Sequence, residues 1–190
     1  MSDVQLALGG ASFDGLVQVK ELAGQGMITL RGDLTRKDIV KAVNDVFGVT
    51  LPDSRETAFD GENGALWMSP DEAMLLCPYD KAQQKADALS AKLQGAHALV
   101  VNVSDARAVF QLQGMMLREV IAKLAPVDMA TDAFTPGMVR RTRMAQVAAA
   151  FWMDDANTAR IVCFRSVAAY MFGLLCTSAD DASAVNHFTR

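Results

Sequence analysis

An α+β fold with mostly antiparallel sheets, built from two copies of one β-α-β-β-α unit, is what this sequence predicts. Three repeated features lead there. "MITLRGDLTRKDIVKAVNDVF" (27–47) and "AVFQLQGMMLREVIAKLAPVDM" (108–129) each alternate like a strand, turn at a glycine and continue with helical spacing. Leu30 and Gly32 match Leu112 and Gly114 at one offset of 82 positions (112 − 30, 114 − 32). "LWMSPDEAMLLCP" (66–78) and "FWMDDANTARIVCF" (151–164) then share a strand, a polar turn and a second strand, pairing Cys77 with Cys163 and Trp67 with Trp152.

Residues 1–26 come first, with five glycines and weak periodicity. They read as an extended N-terminal arm holding at most one short strand, frayed or laid on a partner. The first repeat spans about 27–94. Its strand ends at Gly32, its helix buries Ile39, Val40, Val43, Val46 and Phe47, and "DKAQQKADALSAKL" (80–93) closes it as a second helix. "HALVVNVSDA" (97–106) is a bridge strand. The second repeat spans about 108–177, with Met116, Val120, Ile121 and Leu124 on its first helix and "SVAAYMFGLLCT" (166–177) as its last. Each unit alone leaves one sheet face uncovered, so residues 27–190 are expected to form one pseudo-symmetric domain.

The totals narrow the function. The chain has 190 residues, 51% hydrophobic, with a net charge of −4. No basic face for nucleic acid or anionic lipid is indicated. The longest apolar run is about half of a membrane span. "MSDVQLALGGASFDG" lacks the cationic start of a signal peptide. Cys77, Cys163 and Cys176 have no metal-like spacing. A reduced, cytoplasmic protein is expected.

Candidate chemistry is sparse. Cys77 and Cys163 lie in apolar strands without a neighbouring base, as buried structural thiols do. His97 and His187 are too separated to suggest a triad or a metal site, and "RGD" (31–33) reads as a strand end and turn. Asp154 and Asp155 sit in "MDDANTA", where Asp and Asn favour turns. No catalytic, cofactor-binding or metal-ligating residue is therefore assigned. The densest charge feature is Arg140, Arg141 and Arg143. Alternation puts Arg141 and Arg143 on one face and Arg140 on the other. They are a solvated strand end or a contact for an acidic partner or a ligand carboxylate, which guanidinium suits.

Two resemblances add to this. "VFQLQGMMLREVIAKLAPVDM", "TPGMVRRTRM" and the following strand pair resemble the folate-binding domain of the glycine-cleavage T-protein (aminomethyltransferase) family. Where that family carries glycines and an acidic pair, this chain reads Gln146-Val147-Ala148-Ala149-Ala150-Phe151-Trp152. The acid that would work on the folate nitrogen thus has no counterpart. Over nearly the whole chain, "LRGDL", "LWMSPDEAMLLCP", "VNVSDARAVFQLQG", "LAPVDM", "FTPGMVRRTRMAQVAAAFW" and "CFRSVAAYMFGLLC" resemble the gamma-subunit family of heterotetrameric sarcosine oxidase.

That resemblance implies a non-catalytic subunit in a cytoplasmic complex with alpha, beta and delta subunits, held mainly against alpha. The complex oxidises sarcosine to glycine, with hydrogen peroxide and formaldehyde or methylene-tetrahydrofolate as products. FAD, FMN and NAD are expected on alpha and beta, zinc on delta, tetrahydrofolate chemistry on alpha, and no cofactor on this chain. A stand-alone folate-binding or aminomethyltransferase-like protein is the alternative, marked by tight tetrahydrofolate binding. An adaptor unrelated to sarcosine is the third reading, and co-purification with a flavoprotein separates it from the first.

Overall fold

The structure is a computed structural model that describes residues 5–188. The chain divides into two compact units. One takes the described parts of Met1–Ala23 and Asp105–Arg190, the other Gly24–Ser104.

The Gly24–Ser104 unit runs β3 (Gln25–Gly32), α1 (Lys37–Phe47), β4 (Thr57–Asp60), β5 (Asn63–Ser69), β6 (Glu72–Pro78), α2 (Ala82–Lys92) and β7 (Ala98–Asn102). Its sheet order is β4-β5-β6-β3-β7, all antiparallel. Ile39, Val43 and Phe47 recur one helical turn apart and bury against Ile28, Leu30, Leu75 and Leu89. Helix α1 stops at Gly48, whose φ of 73° lets its N–H reach Asn44 O at 2.8 Å.

The other unit begins with β1 (Ser12–Asp14) and β2 (Gln18–Glu21). After the bridge it continues with β8 (Arg107–Gln113), α3 (Leu117–Ala122), β9 (Val139–Met144), β10 (Val147–Asp155), β11 (Thr158–Phe164) and α4 (Ala168–Ala179). The order is β1-β2-β8-β11-β10-β9, again antiparallel. Helices α3 and α4 share a core with one sheet face through Leu117, Val120, Ile121, Met171 and Leu175 against Phe110, Phe151 and Ile161.

The predicted α+β, antiparallel class describes both units, and each repeat gains one strand, β4 or β9. The registers match as well. Leu30 faces Ala73 and Leu112 faces Ala159, while Gly26 faces Cys77 and Ala108 faces Cys163. The strand-ending glycines behave alike. Gly32 (φ 157°) donates to Asp71 O at 3.0 Å, and Gly114 (φ 148°) to Asn157 O at 2.9 Å. A Cβ at either would press on the incoming chain, His97 O at 3.1 Å or Val17 Cγ1 at 3.1 Å.

Two expectations change. Trp67 does not correspond to Trp152. Both hairpins bulge just before the turn, between Trp67 and Ser69 and between Met153 and Asp155. Trp67 therefore corresponds to Met153, and Leu66 to Trp152. The Trp-Met match is one residue out of register, and in a strand that reverses faces. The expected arm at 1–26 is also different. Val17 and Val19 are buried in the core, β2 is hydrogen-bonded to β8, and Gln25 already opens β3. The boundary of the repeats accordingly falls at Gly24. The arm's alternation is only four residues long, too short to read in sequence, yet one strand beside β8 needs no more.

The lead strands are exchanged between the repeats. Strand β2 precedes β3 in sequence but pairs with β8, and β7 precedes β8 but pairs with β3. Each sheet thus takes its lead strand from the segment that introduces the other repeat.

Candidate functional site

The three arginines singled out in sequence lie on β9, the last strand of its sheet. A two-residue turn at Ala145-Gln146 joins β9 to β10, and Ala145 N–H donates to Leu124 O at 2.8 Å, which ties the turn to the segment after α3. Arg140 is half-buried, with its guanidinium 5.1 Å from the Phe134 ring centroid and a bond to Val139 O at 3.0 Å. Arg141 and Arg143 stand opposite Ala150 and Ala148 and are exposed, and Arg143 also donates to Gln146 Oε1 at 2.9 Å. The alternation expected from the sequence is present. It leaves two guanidinium groups together on an edge strand, where positive charge discourages uncontrolled strand pairing.

The acidic pair is occupied structurally. Asp154 sits at the bulge, accepts from Trp152 Nε1 at 3.1 Å and pairs with Arg160 Nε at 2.7 Å. Asp155 Oδ1 accepts from Asn157 N–H at 2.7 Å, the turn role expected of it. Neighbouring positions on β10 hold Ala149, Ala150, Phe151 and Trp152, all buried. Cys77 and Cys163 are buried, and desolvation pushes each thiol up to about 11, against smaller opposing effects of Lys85 and Arg107 respectively. Neither is poised as a thiolate nucleophile. Asp33 Oδ1 accepts from Thr35 N–H and Oγ1 at 3.0 and 2.6 Å, so "RGD" closes β3 into a turn. Among the described residues no cluster of three or more His, Cys, Asp and Glu could hold a metal ion, and no helix is long and apolar enough to cross a membrane.

A groove of about 610 Å³ runs along α4, lined by Leu124, Tyr170, Gly173, Leu174 and Thr177. Lys123, the one charged side chain lining it, is engaged with Glu119 at 3.1 Å and Ser183 Oγ at 3.0 Å. No acid–base pair projects into this groove.

Sequence reasoning missed three buried charges, and they hold the irregular segments of this unit. Glu21 accepts from the N–H groups of Ala7 (2.8 Å), Leu8 (3.1 Å) and Gly10 (2.9 Å). Arg118 donates to Met129 O and Phe134 O, each at 2.8 Å, fixing the loop before β9. Glu119 accepts from Val185 N–H at 2.7 Å and His187 N–H at 3.1 Å, strapping down the chain after α4. Burial works to raise the Glu119 carboxyl, but these donors and Lys123 outweigh it and hold it below its ordinary value. The sequence carries only a faint trace of them: Val17, Val19 and Glu21 alternate onto one face over too few residues to read as a strand, and Arg118-Glu119 interrupt an apolar helix.

These observations describe a scaffold with an arginine-bearing edge. The sarcosine oxidase gamma subunit family model matches residues 31–184. The chain belongs to that family. It is 26% identical to the sarcosine oxidase subunit gamma of Corynebacterium sp. (strain P-1), over 77% of this chain and 71% of that protein. In fold it matches a chain of the heterotetrameric sarcosine oxidase from Corynebacterium sp. U-96, with a TM-score of 0.81 and 24% identity, over 95% of this chain and 92% of the other. It also matches the glycine cleavage system aminomethyltransferase T of Bartonella henselae, with a TM-score of 0.59 and 13% identity, over 82% of this chain but 44% of that one. The fold is therefore shared with a glycine cleavage system aminomethyltransferase, as the sequence resemblance implied.

Proposed function

We propose that this chain is the non-catalytic gamma subunit of a heterotetrameric sarcosine oxidase and supports assembly of the complex that oxidises sarcosine to glycine. Membership of the gamma-subunit family over residues 31–184 carries the reading. The strand chemistry supports it. The stretch Gln146–Trp152, where the T-protein resemblance implies glycines and a working acid, holds no acid and buries Val147, Ala149, Ala150, Phe151 and Trp152, and Asp154 is committed to Trp152 and Arg160.

The partners on this reading are alpha, beta and delta, mainly alpha. The complex carries FAD, FMN, NAD and zinc on the other subunits and passes the one-carbon unit to tetrahydrofolate or releases it as formaldehyde, in the cytoplasm. Arg141 and Arg143 are the contact we assign to alpha, through carboxylates that guanidinium binds in bidentate fashion.

The test is co-expression of all four subunits with a tag on alpha. The chain co-purifies with a yellow complex, and by itself it has no flavin absorbance and no sarcosine turnover. Arg141→Ala with Arg143→Ala weakens co-purification of a chain that stays folded by circular dichroism. Asp154→Asn with Asp155→Asn leaves turnover of the complex within about twofold, whereas loss of a general acid or base costs about a hundredfold or more. A loss of that size places chemistry on this chain and contradicts the proposal.

A further inference from the structure

Strands β2 and β7 hold the same place in their sheets. Val19 of β2 faces Leu112, and Val100 of β7 faces Leu30, its counterpart one repeat away. Gln18 and Lys20 accordingly correspond to Leu99 and Val101. The outer side of β2 is then covered by β1, with Ser12 opposite Lys20, Phe13 opposite Val19 and Asp14 opposite Gln18. Strand β7 ends its sheet.

The side chains run against this difference. The covered strand shows water Gln18 and Lys20, while the open strand shows Leu99, 53% exposed, and Val101, 40% exposed. Open edges are ordinarily protected by charge, proline or a bulge. The edge β9 has its arginines, but "ALVVN" has none of these devices. The main chain is presented as well. Val103 N–H donates to Met27 O at 2.8 Å, which sets the phase of the ladder. Leu99 and Val101 bond toward β3, and the N–H and C=O of Val100 point to the open side.

We propose that β7 accepts an extended, apolar segment of a neighbouring subunit, which joins the five-stranded sheet where β1 joins the other. The inference rests on the proposed function, because that function supplies the neighbouring subunit. Strand β1 is the template for the occupant: a short antiparallel strand centred on one large side chain, as Phe13 is centred on Val19. Where β1 has Asp14 and Ser12, the occupant carries apolar residues that cover Leu99 and Val101. Main-chain bonds supply the affinity and alternate side chains the selectivity.

The test co-expresses the other oxidase subunits with three forms of this chain: wild type, Leu99→Lys with Val101→Lys, and Val100→Pro. Proline at 100 removes only an outward N–H, which an edge strand tolerates. Both variants are expected to fold and to lose co-purification at least about tenfold, the effect of roughly 1.4 kcal/mol. In wild type, the Val100 amide exchanges rapidly in the free chain and is strongly protected in the complex. Folded variants that co-purify at wild-type yield overturn the inference. Equal exchange of Val100 in both states does the same, and decides the matter if a variant fails to fold. An isolated wild-type chain that dimerises, and that Val100→Pro turns monomeric, makes the occupant a second copy and also overturns it. Failure of the wild-type chain to join the complex instead removes the proposed function itself.

Discussion

The two repeats share a register and differ in what holds them. The Gly24–Ser104 unit is one continuous segment; its pairs Arg36–Asp38 and Asp45 with Lys41 and Lys92 lie toward the surface, and its buried Glu72 meets the exposed Arg31 at 4.0 Å. The other unit gathers segments from both ends of the chain and fastens them with the nearly inaccessible Glu21 and Glu119, while Arg118 fastens its long loop. The equivalent outer helices differ too. The exposed face of α2 carries Gln83, Asp87 and Lys92, and that of α4 carries Ala169, Tyr170, Gly173 and Thr177 without a charge. One copy of the unit is continuous in sequence and has a polar outer helix, while the other depends on added segments and has an uncharged one. A duplicated fold can divide its labour in this way, because the geometry constrains the register more tightly than the faces.

The largest effect should come from deleting residues 1–20. The unit then loses β1, most of β2, and the buried Val17 and Val19, each worth about 1.5–3 kcal/mol. Together with the lost ladder on β8 this approaches the whole stability of a domain. Loss of the cooperative thermal transition is expected, and a truncated chain that melts like wild type would show the segment to be an arm after all. At single residues the same comparison reads Val19→Asp against Val100→Asp. Val19 is fully buried and Val100 partly so, so the first should be clearly the more damaging in urea titrations.

Arg118→Ala comes next. It leaves the carbonyls of Met129 and Phe134 without their charged donor and should cost about 2–3 kcal/mol in denaturant unfolding. Glu119→Gln should cost about 1–2 kcal/mol at neutral pH and free Val185 and His187. The sign with pH follows from the lowered carboxyl. Its stabilisation is complete above the ordinary value of 4.5 and disappears as the pH falls through the lower folded value. The mutant and wild-type stability curves should converge in acid, and curves that stay parallel would mean that the charge of Glu119 is immaterial. Asp45→Asn is the smallest change. Its pairs with Lys41 and Lys92 lie toward the surface of the continuous repeat, and its melting curve should superimpose on wild type.

Much of this was legible in the sequence. The offset of 82 between Leu30 and Leu112 is the spacing of two central strands, and Cys77 and Cys163 occupy matching positions. The alternation at 139–144 placed Arg141 and Arg143 on one face. The Trp-Met pairs misled because the two hairpins share the same bulge and turn at one offset of 86 (153 − 67, 155 − 69), and Trp67-Met68 resembles Trp152-Met153 in composition one residue out of that register. Strands β1 and β2 were hidden because three or four residues give too little alternation to detect, and their stability comes from pairing with β8 rather than from local preference. Glu21 and Glu119 drew no reading from the sequence because their partners are backbone N–H groups of other segments, which no sequence pattern identifies.

Whether this chain works as one subunit among several is decided by native mass spectrometry of the purified sarcosine-oxidising complex. One copy of this 20.4 kDa chain is expected in every assembly that contains the three other subunits. An intact, active complex with no mass corresponding to this chain would contradict the subunit role.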